Sequence, residues 1–161
     1  MKEALKVILE KNPLPFITGT ICAHNCMSKC TRNFYEAPVN IRGTKLKAAE
    51  GGYDAVMAEL QKPELTGKKA AVVGGGPAGM AAAYFLARAG VQVTLFEKDE
   101  KLGGVVRRVI PGFRIPDSSI DKDAAILEKL GVNIVTGAKI ESVADLKNVY
   151  DAVVLAVGAS E

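Results

Sequence analysis

The chain has 161 residues, 48% of them apolar and 24% charged, with a formal net charge of +3. That balance suits one ordinary folded domain, or a small domain with an appendage, and excludes wholesale disorder. The cation excess is too small and dispersed to indicate a nucleic-acid partner, no apolar run reaches the roughly 20 residues of a membrane span, and MKEALKVILEK has no signal-peptide pattern.

The first eleven residues place Leu5, Ile8 and Leu9 on one helical face, and Asn12-Pro13 ends that helix. From Leu14 to Gly43 no period is sustained, and Pro15, Gly19 and Pro38 interrupt, so the spacing predicts mostly irregular backbone. Helical composition returns over 45–50, breaks at Gly51-Gly52 and resumes over 53–61, with Val56 and Leu60 facing inward. KPELTGK, residues 62–68, reads as a linker punctuated by Pro63 and Gly67.

Beyond residue 68 the texture changes. AAVVG (70–74) is a short apolar run, as expected of a strand buried on both faces of a parallel sheet. Residues 77–89 form a small-residue helix closed by Gly90, and VQVTLFE (91–97) is a second strand ending in Glu97. DSSIDKDAAILEKLG opens with Asp117 and Ser118 as capping candidates and carries Ile120, Ala124, Leu127 and Leu130 at helical spacing. VNIVTG (132–137) and DAVVLAVG (151–158) supply two further strands. This order predicts an α/β fold with an open parallel sheet.

GGGPAG, residues 74–79, fits G-x-G-x-x-G through Gly74, Gly76 and Gly79, with Pro77 and Ala78 between them. Its position between a buried-type strand and a helix gives the pattern physical meaning. Gly74 allows the turn, Gly76 lets backbone approach a pyrophosphate, and Gly79 lets helix pack on strand. The helix N-terminus offers free N–H groups to phosphates. Glu97, followed by Lys98, stands where a carboxylate would accept ribose hydroxyls and repel a 2′-phosphate, which favours FAD or NAD over NADP. No Lys-Ser/Thr follows the loop, so a triphosphate P-loop is not expected. The bland alternative is a tight turn that binds nothing.

Cys22, Cys26 and Cys30 are the only cysteines and recur at a spacing of four. Iron–sulfur clusters are held by short-spaced cysteine runs, whereas zinc sites more often join two C-x2-C pairs. The plain alternative is three idle thiols packing like small hydrophobes. In a chain without an export signal, such clustering reads as metal or redox chemistry in the cytoplasm. A closed site wants a fourth ligand, for which His24 and Glu36 are nearby donors; His24 reads better as an exposed residue of a polar loop.

These blocks together resemble the glutamate synthase small-subunit family, which includes the N-terminal part of dihydropyrimidine dehydrogenase, and most closely the flavoprotein subunits labelled selenate reductase. NPLPFITGTICAHNCMSKCTRN followed by PVNIRG resembles a helical iron–sulfur module. VVGGGPAGMAAAYFLARAGVQVTLFEKDEKLGG resembles an FAD-binding βαβ unit, and IPGFRIP and YDAVVLAVGA resemble later segments of that domain. The resemblance implies a short ferredoxin-like helical module over 1–61, a linker over 62–68, and a partial Rossmann-like FAD-binding domain over 69–161. It implies FAD in the glycine loop, with Gly103 and Gly104 on the flavin side and Ala156 to Gly158 in a turn near the cofactor. It assigns Cys22, Cys26 and Cys30 to a [4Fe–4S] cluster. The position where relatives place an acidic or amide fourth ligand aligns with Lys45, whose ammonium has no lone pair to donate.

The relatives also carry a cysteine group ahead of the first helix, and an NAD(P)H-binding domain with a returning FAD segment after VLAVGA. The chain is therefore expected to be an excerpt. In the whole enzyme, hydride from NAD(P)H would reach the flavin and single electrons would pass through clusters to an accepting subunit. No catalytic acid or base is expected in this part, which should not oxidise pyridine nucleotides alone. Two rival readings stand beside this one. A non-catalytic docking module with a zinc or empty cysteine site accounts for Lys45; an NAD-binding dehydrogenase domain leaves the cysteines unexplained.

Overall fold

The computed structural model describes residues 1–159. Helix α1 (Lys2–Leu9) buries Leu5 and Leu9 as its spacing predicts. A second helix, α2 (Pro15–Ile21), departs from the expectation of irregular backbone. Its sequence, PFITGTI, has little helix propensity, so periodicity gave no signal. Burial forms it instead: Phe16, Ile17 and Gly19 are enclosed, and Gly19 has so little space that an added Cβ would stand 3.0 Å from Leu46 Cβ. Pro15 at the first helical position suits the start, because no N–H is needed there. A single turn, α3 (Asn25–Ser28), and a 3-10 turn over Thr31–Phe34 follow.

The predicted break at Gly51-Gly52 does not occur. Helix α4 runs unbroken over Ile41–Glu59, capped by the Asn40 side chain, which accepts from the Gly43 N–H. The glycines are where α1 touches it. A Cβ on Gly52 would lie 2.9 Å from the Met1 carbonyl oxygen, and one on Gly51 would lie 3.0 Å from Met1 Cγ. Close packing outweighs a propensity cost of about 1 kcal/mol per glycine.

After an irregular stretch, β1 (Lys69–Val73), α5 (Pro77–Arg88) and β2 (Gln92–Phe96) form the expected unit. Two short helices that the sequence did not reveal, α6 (Val105–Arg108) and α8 (Val143–Lys147), flank α7 (Asp117–Lys129) and β3 (Asn133–Val135). Strand β4 (Ala152–Leu155) completes a wholly parallel sheet in the order β3-β2-β1-β4. In register, Val72 faces Leu95 on one side and Val154 on the other. Crossing back to β4 beside β1 makes a topological switch point, where ligands settle in open α/β sheets. Neither Asp117 nor Ser118 caps α7; Pro116 occupies the N-cap with no side-chain bond, and Asp117 pairs with Arg107 at 2.9 Å instead.

One core spans both halves of the chain. Leu5, Leu9, Phe16 and Ile17 share it with Tyr84, Ile120 and Leu127. The Tyr84 hydroxyl donates to the Leu9 carbonyl at 2.8 Å. Thr66, within the irregular stretch, donates its N–H to the Gly90 carbonyl at 2.9 Å.

Candidate functional site

The carboxyl ends of β1, β2 and β4 converge because the strands are parallel and in register. The Gly74 N–H donates to the Phe96 carbonyl and the Ala156 N–H to the Val73 carbonyl, both at 2.8 Å. The residues just past those ends, Gly74, Glu97 and Ala156, therefore face one cavity of about 420 Å³. Its wall also contains Gly76, Pro77, Ala78, Lys98, Gly104 and Gly158 from the expected set.

The three motif glycines hold different positions. Gly74 has φ of +105°, and an added Cβ would collide with the Ala156 carbonyl oxygen. A Cβ at Gly79 would collide with the Gly74 carbonyl oxygen, so α5 can approach β1 only through glycine there. Gly79 is buried in that contact and does not line the cavity. Gly76 is unlike both: its backbone is extended at φ −74° and ψ −179°, and the nearest atom to an added Cβ is 3.9 Å away. The fold does not require glycine at 76. A ligand backing onto the loop would, as a pyrophosphate against the first turn of α5 would do.

Glu97 is 4% exposed. One carboxylate oxygen accepts the Gly75 N–H at 2.6 Å and the other accepts the Asp99 N–H at 2.9 Å. The side chain thus pins the glycine loop to the end of β2. A carboxylate offers about four acceptor positions, so capacity remains on the cavity side for ribose hydroxyls. Gly103 stands behind the wall, donating its N–H to the Gly75 carbonyl at 2.8 Å, while Gly104 lies in the wall.

Sequence reading missed two cations, Arg108 and Lys139, which join Lys98 around the cavity. Arg108 also pairs with Asp99 at 3.3 Å. Three cations beside one committed carboxylate suit a ligand carrying phosphates. The run VVRR after the double glycine was a visible hint for Arg108; Lys139 follows a three-residue strand and gave none.

The cysteine segment lies apart from this cavity. Cys22 and Cys30 are half-buried and Cys26 is exposed. His24 is exposed with a left-handed backbone, and its N–H reaches Cys22 Sγ at 3.4 Å. Backbone N–H groups of Val39 and then Arg32, with the Arg32 charge, hold the Cys30 thiol below its ordinary range. Such donors favour thiolate, the form that binds iron, so the donor chemistry fits a thiolate-held metal group. The geometry does not close around one: among the described residues no three Cys, His, Asp or Glu side chains converge at metal-binding distance. Glu36 is engaged with Arg32 at 2.7 Å, and Lys45 is half-buried on α4.

The cysteine segment and the parallel-sheet fold with its glycine loop are therefore two parts of one packed chain, and each has its counterpart among known proteins. Residues 1–53 match the domain described as dihydropyrimidine dehydrogenase domain II, 4Fe–4S cluster, and residues 72–145 match the NAD(P)-binding Rossmann-like domain. The chain is similar to glutamate synthase small chains: it is 34% identical to the NADPH enzyme's small chain from Bacillus subtilis, over 99% of this chain and 33% of that one. It is 37% identical to the NADPH-Fe(3+) oxidoreductase subunit beta of Geobacter sulfurreducens, over 98% and 24%. It is 45% identical to YgfK of Escherichia coli K12, named as an oxidoreductase, over 91% and 14%. Histamine dehydrogenase from Rhizobium sp. 4-9 shares the fold at a TM-score of 0.50 and 27% identity, over 60% of this chain and 15% of that one. The chain thus spans between 14% and 33% of the length of these curated relatives. Among the described residues no helix is long and apolar enough to cross a membrane.

Proposed function

We propose that this chain is the electron-transfer portion of an FAD and iron–sulfur oxidoreductase that uses NAD(P)H. Residues 1–61 serve as the cysteine module, 62–68 as linker and 69–161 as part of an FAD-binding domain, in the cytoplasm. The observation that carries the reading is Gly76, a glycine the fold does not need, facing a cavity with a fixed carboxylate and three cations. In this reading the loop from Gly74 to Gly79 and the α5 N-terminus take the pyrophosphate, and Glu97 and Lys98 take the adenosine ribose. Gly103, Gly104 and Ala156 to Gly158 border the path toward the flavin. Cys22, Cys26 and Cys30 would hold a [4Fe–4S] cluster, whose fourth ligand lies outside this trio.

Bound flavin would supply exchange between two-electron and one-electron carriers. The chain's own residues contribute binding and orientation. Glu97 holds the loop in its ligand-ready form through Gly75, and the amides around Cys30 favour thiolate over thiol. A partner domain for NAD(P)H and an electron-accepting subunit belong to the same proposal.

Calorimetric titration of the chain with FAD, ADP, NAD and NADP tests it. FAD and ADP should bind in competition, and NADP should bind least well because Glu97 repels a 2′-phosphate. The match to an NAD(P)-binding domain favours a second reading in which NAD occupies the loop; NAD binding well above FAD would select it. Absence of any adenine-nucleotide binding would defeat both.

A further inference from the structure

Asp123 is a fully buried carboxylate outside the nucleotide cavity, with 0% exposure. It lies on α7, within the nucleotide-binding half. Its two oxygens accept the first free backbone N–H groups of α2, from Phe16 at 3.2 Å and Ile17 at 2.8 Å. The bonds join positions more than 100 residues apart. Among the described residues no ion pair includes it.

Buried carboxylates without a cation are costly unless fully hydrogen-bonded. An aliphatic side chain would fill the same place on α7 without that cost, so the carboxylate's specific contribution is to fix the two amides. What those amides fix comes next in the chain. Helix α2 ends at Ile21, and the Cys22 N–H still donates to the Thr18 carbonyl at 3.2 Å. The Cys22 carbonyl accepts from Arg42 of α4 at 3.2 Å. The first cysteine therefore leaves directly from the helix that Asp123 holds.

We propose that Asp123 is a positioning residue for the cysteine segment, clasping α2 to α7 and so setting where Cys22 stands relative to the nucleotide-binding fold. The proposal does not depend on what the cysteines bind. The clasp is also sensitive to protons. Burial pushes the Asp123 carboxyl up to about 7, opposed by the Ile17 and Phe16 amides. When protonated, one oxygen becomes a hydroxyl and a poor acceptor, so one of the two amides is released.

The neighbours leave Asp123 as the group that titrates there. Helix α2 contains no charged residue. From α4, Tyr53 faces Asp123, its phenol pushed up by burial and then by the charges of Asp123, Asp54 and Glu128. On α7 itself, Lys122 lies over the Phe16 ring at 5.0 Å and the Tyr53 ring at 5.6 Å, and Asp121 pairs with Arg107. From α5, Tyr84 and Arg88 both donate to the Leu9 carbonyl.

The test follows backbone amides of the full chain by nitrogen-edited NMR from about pH 5.5 to 8. The Phe16, Ile17 and Cys22 amides should titrate together with a midpoint near 7. In Asp123→Asn, which has a single oxygen acceptor at every pH, that titration should vanish, and one of the clasped amides should exchange about tenfold faster. A wild-type titration confined to Phe16 and Ile17 would show a structural clasp that does not reach the cysteine, and would overturn the proposal. So would three flat amides. The His24 ring lies 3.3 Å from the Cys22 carbonyl, so the same titration is run in His24→Gln: a Cys22 response that persists there assigns it to Asp123 even if Asp123→Asn folds poorly, and one that disappears overturns the proposal.

Discussion

Gly76 and Gly79 are three residues apart and answer to different demands. Gly79→Ala drives a methyl into the Gly74 carbonyl and should lower stability by about 3 kcal/mol in urea unfolding. Gly76→Ala meets open space at an ordinary φ. It should change stability by less than about 1 kcal/mol while weakening adenine-nucleotide binding about tenfold or more. Equal loss of stability in both variants would contradict this division. The G-x-G-x-x-G spacing made the motif legible, and Glu97 at the strand end was equally visible. What the spacing could not show is that Glu97 spends one oxygen on the glycine loop, at Gly75, and the other on the Asp99 N–H beyond its own strand. Glu97→Gln leaves one of those amides facing an NH2 group, so it should cost about 1–2 kcal/mol even without ligand. Unchanged unfolding of that variant would show that the carboxylate is not pinning the loop.

At the scale of elements, periodicity reported strands and long helices and failed where packing overrides propensity. Helix α4 crosses Gly51-Gly52 because α1 lies against those glycines, a tertiary fact with no local signature. Helix α2 exists because Phe16 and Ile17 are enclosed and their amides are clasped from α7. A trace of the clasp was present in the sequence. Asp123 falls three residues after Ile120 and four before Leu127, on a stripe that should be apolar. An acid on an apolar stripe signals either a functional group or a buried partner, and the partner lay more than 100 positions away. The cysteine segment was legible as a pattern of donors, and its short turns, built from polar residues with little burial, were not.

For the molecule as a whole, stability should carry the mark of Asp123. Its carboxyl is held at about 7 in the fold against an ordinary 3.8. Between those values the folded chain binds a proton that the unfolded chain does not, so stability falls as pH rises, by about 1.4 kcal/mol per unit. The slope ends above about 7, where both states are ionised. Protonation therefore favours the fold overall by relieving a buried charge, even though it releases one amide of the clasp. Glu59 has the opposite sign and a different window: hydrogen bonds from Lys2 and Lys6 hold it at about 2, so its contribution is lost only as pH falls below the ordinary carboxylate range. Urea unfolding at pH 5 and pH 8 should show wild type losing stability across the interval and Asp123→Asn losing much less. Parallel losses would place the proton elsewhere.

The joining of a thiolate-favouring cysteine segment to a glycine-loop cavity through one shared core is the feature on which the functional account stands. Its most direct measurement is iron, acid-labile sulfide and flavin content after anaerobic reconstitution of the chain with iron, sulfide and FAD. The account predicts about four iron and four sulfide per chain, lost together in Cys22→Ser, with FAD bound competitively with ADP. A colourless, iron-free protein with no affinity for FAD or ADP would contradict it.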